Sequence, residues 1–268
     1  MSFWQSLLAF LDTSMTTPEP YGWFHILWFV ISLLAIVPLV RFAKNPMRVV
    51  FVTAVVVALL EIYKQINFNF SYTNGICFDY QWYAFPFQFC STPMYVGLLA
   101  GLVKPGKVRD SLCAYLATYA LFAGLSVMLY PTTVFVPAIG INLQTMICHG
   151  SMITMGIYLL CTGFVKPEMK TLWKAAPVFA VCLLLAVVMN EIAHATGLLK
   201  TETFNMFFVS PYCEPSLPVY SLVQGAVAYP WCLIIYILGF TAAAGIVLLL
   251  AVGAQKLFSK KQEKATAI

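Results

Sequence analysis

A cysteine and a histidine lie in two separate apolar segments of this chain, where both could reach the same depth of a membrane. Cys90 stands in the run Phe85-Pro86-Phe87-Gln88-Phe89-Cys90-Ser91-Thr92-Pro93, and His149 stands in Ile147-Cys148-His149-Gly150-Ser151. A histidine beside a cysteine can take up the thiol proton, and the resulting thiolate is a nucleophile toward acyl groups. The pair therefore predicts thioester chemistry, with Cys90 as nucleophile and His149 as base.

Six further polar side chains are expected near the outer ends of these two segments and of two other apolar segments. Gln88, Asn190 or a backbone amide freed by Pro93 is a candidate donor to an oxyanion, and Glu61 or Glu191 could orient the imidazole. An ionisable group inside a membrane is costly unless it meets a partner or water, so each such group is a candidate site residue. The supporting set is Gln88, Glu61, Gln144, Asn190, Glu191 and His194.

The same residues allow two other interpretations. Cysteine is also common in apolar helices as a small hydrophobic residue, and five more occur in the apolar segments: Cys113, Cys148, Cys161, Cys182 and Cys232. Alternatively, His149, Glu191 and Glu61 could form the proton or ligand relay of a non-enzymatic transporter or sensor. Replacement of Cys90 separates the classes, since only the enzyme requires its thiol.

Other site classes fit the sequence less well. The cysteines and histidines lack the clustered spacing of a metal site, and no cofactor is expected. A retinal-type receptor is disfavoured because the last apolar segment has no lysine between Tyr229 and Gln255. Cys77 and Cys213 both fall in outer loops, where an oxidising compartment could bridge them or leave them free.

The composition predicts an all-α, polytopic membrane protein. Hydrophobic residues make up 61% of the 268 residues and charged residues only 9%. A helix needs about 20 apolar residues to cross a hydrocarbon core of about 30 Å. Seven segments qualify, at approximately 22–40, 48–66, 87–103, 111–130, 142–165, 175–195 and 229–255.

The positive charges predict which side each loop occupies, because short cytoplasmic loops collect lysine and arginine. Of the 15 such residues, all but Lys64 and Lys200 follow the first, third, fifth or seventh segment. This distribution predicts an outer N-terminus, an inner C-terminus and a basic cytoplasmic tail at 256–268. The net charge of +5 is then explained by loops near anionic lipid, and no nucleic-acid partner is expected.

The chain reads as one transmembrane domain spanning 1–268, with a short interfacial segment at 1–21. His25 is expected at the membrane interface among tyrosine and tryptophan residues.

Pro86 is expected as the first helical residue of the third segment, which places Cys90 about 6 Å below its entry. The fifth segment is expected to begin near Asn142, with His149 about 10 Å deep. The long outer loop at 196–228 is a candidate lid.

Several short motifs together resemble the bacterial YwaF-like integral membrane proteins and, more remotely, the eukaryotic transmembrane acyltransferase that remodels ether phospholipids. The segment ending in Cys90 is similar to the family's Leu-Pro-Leu-His/Gln-Leu-Cys, and His149 occupies the place of the family histidine. Tyr130 replaces the threonine of the family's Ala-Leu-Leu-Thr-Pro turn. The remaining similar motifs are Asn205-Met206-Phe207-Phe208, Pro215-Ser216-Leu217 and Tyr229-Pro230-Trp231, the last preceded by Val227-Ala228 in place of Gly-Pro.

The resemblance implies a Cys–His acyltransferase that moves a fatty acyl chain between phospholipids, with Cys90 and His149 in those roles. Its partners would be a membrane phospholipid or lysophospholipid. A phospholipase, or an enzyme that modifies lipoproteins through a thioester, would use the same pair. We expect a multi-pass protein of the bacterial plasma membrane.

Overall fold

The computed structural model describes residues 2–132, 134–197, 203–214, 217 and 220–266, with side chains as far as residue 256. The architecture is an all-helical bundle, as predicted. Among the described residues, six helical stretches are long and apolar enough to cross a membrane: Trp23–Phe42, Pro46–Asn69, Lys107–Leu129, Ile139–Cys161, Met169–Thr196 and Tyr229–Lys256.

The N-terminal half contains the first five helices and a small hairpin. The helices are α1 (Phe3–Leu11), α2 (Trp23–Leu34), α3 (Ile36–Phe42), α4 (Pro46–Asn69) and α5 (Thr92–Leu102), with the two-stranded hairpin β1 (Phe70–Ser71) and β2 (Cys77–Phe78) between α4 and α5. Helices α2 and α3 form one crossing that breaks at Ala35. Pro38 explains the break, because it has no N–H to donate to the Leu34 carbonyl.

The C-terminal half contains five helices, two of which form one kinked crossing. They are α6 (Lys107–Tyr115), α7 (Leu121–Leu129), α8 (Ile139–Cys161), α9 (Met169–Thr196) and α10 (Tyr229–Thr266). A π-helical turn at Leu116–Ala120 joins α6 to α7. The α6–α7 crossing and α8 are the most buried of the long helices, so they form the centre of the bundle. The helix α10 continues through most of the expected basic tail.

The prediction for the third apolar segment is wrong in one respect: only Thr92–Leu102 is helical. Eleven residues span about 16 Å, half of a hydrocarbon core. Pro93 marks the late start, because a residue without an N–H fits the first turn of a helix but not its interior. The Thr92 hydroxyl donates to the Phe89 carbonyl, the group that a proline N–H cannot reach. Pro86 is therefore not the first helical residue, although Phe85 is extended as expected (φ −50°, ψ 133°).

The basic residues mark one end of the bundle. Arg41 lies in the last turn of α3, Lys104 and Lys166 lie in the short connections after α5 and α8, and α10 ends in lysines. These basic regions all lie on one side of the membrane only if the segment 85–102 also spans it. The outer half of that span is then non-helical. Such backbone is tolerated at membrane depth where it is buried in protein. Phe89 and Ser91 are buried, which meets that condition.

Candidate functional site

Cys90 lies immediately before α5, two residues from its first helical residue. The N–H groups of Ser91 and Thr92 both donate to the Gln88 carbonyl (2.8 and 3.3 Å), which forms a tight turn around the cysteine. The first turn of a helix carries partial positive charge, which stabilises a thiolate. Because α5 begins at Thr92 and not at Pro86, Cys90 lies before the first helical residue and not one turn inside the helix, as was predicted.

The cavity beside Cys90 is small and lined mostly by apolar side chains. Its volume is about 10 Å³, room for about one water molecule, and Thr53 of α4, Cys148 and Ser151 of α8 line it together with Cys90. The Cys148 thiol lies 3.9 Å from the Cys90 carbonyl oxygen. The charged side chains whose fields reach the Cys90 sulfur are Lys64 and Glu61. An acyl chain would need this space to widen.

His149 is buried at the middle of α8, and one of its ring nitrogens is already used. Nδ1 lies 2.8 Å from the Thr145 carbonyl oxygen. A carbonyl only accepts, so Nδ1 carries the proton and Nε2 is the nitrogen that can act as a base. Helix α8 begins at Ile139 and not near Asn142, so His149 lies about 15 Å from its start, deeper than predicted.

Cys90 and His149 are not joined by a hydrogen bond in the part of the chain that the structure describes. Neighbouring residues of a helix point about 100° apart, so His149 faces a different direction from Cys148, the residue that meets Cys90. The catalytic pairing of Cys90 with His149 stays a prediction. Sequence reasoning missed Cys148, although it lies one turn after Gln144 and so shares a helix face with a residue already assigned to the site.

Glu61 belongs to a buried polar cluster at the outer end of α4. Lys64 Nζ and Gln65 Nε2 each lie 2.8 Å from Glu61 Oε1, as the helical spacing predicts. Gln144 Nε2 reaches the other carboxylate oxygen at 3.5 Å and so links α8 to this cluster. Gln65 also donates to the Ala84 carbonyl (2.8 Å), which ties the connection between α4 and α5 to α4.

Gln88 and Asn190 both form hydrogen bonds to the backbone at Asn205–Phe207, in the connection between α9 and α10. Each uses its amide nitrogen and its amide oxygen there, which makes both side chains part of the scaffold. Of the expected oxyanion donors, a backbone amide near the start of α5 remains. The Cys90 N–H makes no hydrogen bond to another described residue.

Glu191 and His194 form a separate cluster at the outer end of α9. The Tyr212 hydroxyl donates to Glu191 Oε2 (2.9 Å), and the Tyr212 ring stacks on His194 with centroids 3.4 Å apart. The hydrogen bond to the Glu191 carboxylate raises the pKa of Tyr212. The expected contact of Glu191 with His194 is therefore replaced by one with Tyr212, and His194 is exposed.

The structure also places His25 and the two outer-loop cysteines. His25 lies in the first turn of α2, buried within the protein (1% exposed), and both its nitrogens are engaged: Nδ1 accepts from the Tyr21 N–H and Nε2 donates to the Met128 carbonyl. Cys77 and Cys213 are both free, so no disulfide joins them. Cys77 pairs with Ser71 in the hairpin, whereas the Cys213 thiol donates to the Phe204 carbonyl (3.5 Å).

Two predicted features lie partly outside the described residues. Pro215 and Ser216 of the motif Pro215-Ser216-Leu217 are not described, and neither is Lys200. The other resembling motifs are described, and Asn205–Phe208 is the one that contacts the Cys90 segment directly, through Gln88.

Comparison with known families decides the broader relationship. The family model of the TMEM164 family matches residues 19–252, most of the chain. The chain belongs to the TMEM164 family. No curated protein and no solved structure matches it. Membership of the TMEM164 family and the six long apolar helices establish a multi-pass membrane protein.

Proposed function

We propose that this TMEM164-family protein is a lipid acyltransferase in which Cys90 carries the acyl group as a thioester. The observation that carries the proposal is the position of Cys90 at the head of the half-length helix α5, beside a small cavity that Thr53 and Ser151 also line. The resemblance to YwaF-like proteins and to the ether-phospholipid enzyme points to the same chemistry.

The first half of the reaction forms the thioester. His149 Nε2 takes the proton from the Cys90 thiol, and the sulfur attacks the ester carbonyl carbon of a donor phospholipid. The Cys90 N–H and the positive end of α5 stabilise the oxyanion that develops. The ester C–O bond then breaks, and the departing lysophospholipid alkoxide takes the proton from His149.

The second half of the reaction reverses these steps with a new acceptor. The hydroxyl of a second lysophospholipid gives its proton to His149 and attacks the thioester carbon. The C–S bond breaks, the new ester is released, and the Cys90 thiolate regains its proton from His149. Water in place of the acceptor would make the protein a phospholipase. The proposed location is the bacterial plasma membrane.

For this chemistry, His149 Nε2 must come within hydrogen-bond range of the Cys90 sulfur. Catalytic hydrogen bonds often tighten only when substrate is bound, and the cavity must also widen to admit an acyl chain. We propose that lipid entry between α4, α5 and α8 produces both changes. The contacts of Cys90 with Cys148 describe the closed site.

A transfer assay tests the proposal. Purified protein in liposomes would receive a phospholipid with an isotopically labelled acyl chain and an unlabelled lysophospholipid, and mass spectrometry would follow the labelled product. We expect transfer by the wild type, and its loss in Cys90→Ala. Full transfer by a folded Cys90→Ala protein would contradict the proposal.

The second candidate is a transporter or sensor that uses Glu61 and His149 as a relay. The observation that favours it is the Glu61–Lys64 ion pair, in which Glu61 is buried and Lys64 partly exposed; Gln144 links Glu61 to α8. Broken helices that begin at mid-membrane also occur in transporters. In this case Cys90→Ala would keep the function, whereas Glu61→Gln or His149→Ala would remove it. Within the described residues no hydrogen bond joins Glu61 to His149, just as none joins Cys90 to His149, so both functions require a rearrangement around His149. We favour the enzyme because the motifs around Cys90 and His149 resemble those of the acyltransferase.

A further inference from the structure

The connection between α9 and α10, which lies beside the Cys90 segment, contains two adjacent bulky residues in an unusual backbone conformation. Phe207 and Phe208 have positive φ values of 58° and 57°. For residues with large side chains this left-handed conformation is costly, and it persists only where the surroundings fix it. Asn205, Met206 and Phe207 are also buried, so their backbone groups need partners inside the protein.

Side chains from two distant parts of the chain supply partners for this backbone. Asn190 of α9 holds both polar groups of Met206, with Nδ2 donating to its carbonyl (3.0 Å) and Oδ1 accepting from its N–H (2.8 Å). Gln88 holds the two flanking residues, since Nε2 donates to the Asn205 carbonyl and Oε1 accepts from the Phe207 N–H, both at 3.0 Å.

Two more side chains complete the arrangement. The Tyr236 hydroxyl of α10 donates to the Phe207 carbonyl (3.0 Å), and Asn205 Oδ1 accepts from the Ser210 N–H (2.9 Å). We call the segment Asn205–Phe208 and the residues that hold it the clasp. The holding residues are Gln88, Asn190 and Tyr236 from outside the segment and Asn205 within it. Tyr236 is buried, and its ring stacks on Phe240 with centroids 4.3 Å apart, so its hydroxyl is fixed in direction.

The clasp contacts the residues that lead into Cys90. The Phe207 ring lies 5.5 Å from the Phe89 ring and 6.1 Å from the Phe87 ring, centroid to centroid. Gln88, between these two, is itself a holding residue, and its carbonyl accepts the two N–H groups that form the turn around Cys90. A shift of the Asn205–Phe208 backbone should therefore also move the turn that carries the Cys90 thiol.

We infer that Tyr236, Asn190 and Asn205 are positioning residues for Cys90. With Gln88, they fix the strained clasp against Phe87–Phe89 and so fix the thiol at the head of α5. This inference rests on the proposed function for its catalytic meaning. The positioning itself can be measured from the reactivity of the thiol, whether or not acyl transfer occurs.

The test compares two single-hydroxyl variants of the full-length protein in liposomes. Tyr236→Phe removes the hydrogen bond to Phe207, whereas the control Tyr119→Phe removes a hydroxyl that bonds to Thr241, away from the clasp. Timed labelling with N-ethylmaleimide, read by peptide mass spectrometry, gives a rate for each cysteine. Cys182, buried in α9, reports general loosening in the same sample.

We expect Tyr236→Phe to raise the labelling rate of Cys90 about fivefold, the change equivalent to losing one neutral hydrogen bond, with Cys182 unchanged. Asn205→Ala should act in the same direction, and Tyr119→Phe should leave Cys90 as in the wild type. In the transfer assay, Tyr236→Phe should lower kcat and leave KM unchanged, since the lipid-binding surface is kept.

Unchanged labelling of Cys90 in both Tyr236→Phe and Asn205→Ala would overturn the inference, as would equal acceleration at Cys182. If the wild type shows no acyl transfer but the labelling result holds, the proposed function fails and the positioning stands. If transfer occurs and labelling is unaffected, the positioning fails alone.

Discussion

The Cys148 sulfur lies 3.9 Å from the carbonyl oxygen of Cys90, and both cysteines line one small cavity where α8 meets the turn before α5. Only Cys90 has the helix N-terminus at its side. Cys148 lies within α8, whose own backbone bonds leave no free N–H beside it. The two cysteines should therefore differ sharply in function despite their proximity.

Cys148→Ala should keep acyl transfer, because it removes a packing group and leaves the turn around Cys90 unchanged. The expected cost is about 1 kcal/mol of stability, typical of a small truncation in a packed interior. The transfer assay and a thermal melt in detergent measure the two effects. Loss of transfer with an unchanged melting temperature would assign the chemistry to Cys148 instead.

His149→Asn and His149→Gln test which ring nitrogen matters. The asparagine amide can replace Nδ1 as donor to the Thr145 carbonyl, whereas the glutamine amide extends toward the position of Nε2. Neither amide can accept a proton, so both variants should fold and lose about 10²–10⁴-fold in kcat, the usual contribution of a general base. Transfer near the wild-type rate in either variant would remove His149 from the mechanism.

The apolar segments and the basic loops were predictable because hydrocarbon length and lipid charge act on composition alone. Five of the seven apolar segments became single long crossings or a helix with a π-turn, and the first became the broken α2–α3 crossing. The prediction failed at the start of the remaining segment, where the Thr92 hydroxyl, and not the helical N–H that Pro93 lacks, donates to the Phe89 carbonyl. A count of apolar residues cannot register that local competition.

The candidate site was predictable as a list of residues but not as a set of contacts. Gln88 and Asn190 were recognised as unusual in apolar surroundings, yet their partners at Asn205–Phe207 lie far away in sequence. Which of Cys148 and His149 turns toward Cys90 depends on the rotation of α8, and packing against α2, α4 and α7 sets that rotation. Tyr236 carried no sequence signal beyond being a tyrosine within an apolar segment.

Gly124 should be essential for the position of α8. A Cβ atom there would lie 2.8 Å from the His149 carbonyl oxygen and 2.9 Å from the Met152 Cβ, so Gly124→Ala must push α7 away from α8. We expect a loss of about 1–3 kcal/mol in stability, as for other overpacked interiors. Thermal melts of the purified variant would measure this loss.

Gly239→Ala is the matched control, because a Cβ atom at Gly239 of α10 would meet nothing within 4 Å. Alanine is a better helix former than glycine, so this variant should be as stable as the wild type or more stable. Equal melting temperatures for the two alanine variants would show that the close approach of α7 and α8 does not constrain the fold.

The contact between Tyr212 and Glu191 should weaken only at high pH. The carboxylate raises the pKa of Tyr212 above 10, so the neutral phenol is the bound form. This stabilisation is complete below pH 10 and is lost as the pH rises through the raised pKa. An ultraviolet difference titration between the wild type and Tyr212→Phe should show one tyrosine titrating late. A difference spectrum that titrates at the ordinary value would contradict the contact.

The most direct test of Cys90 as the acyl carrier is to trap the thioester. Wild-type protein would be incubated with a long-chain phospholipid without acceptor, quenched in acid and analysed by intact mass before and after hydroxylamine. We predict one hydroxylamine-labile acyl chain on the wild type and on Cys148→Ala, and none on Cys90→Ala. An adduct that persists in Cys90→Ala, or no adduct on folded wild type with any phospholipid class, would contradict the account.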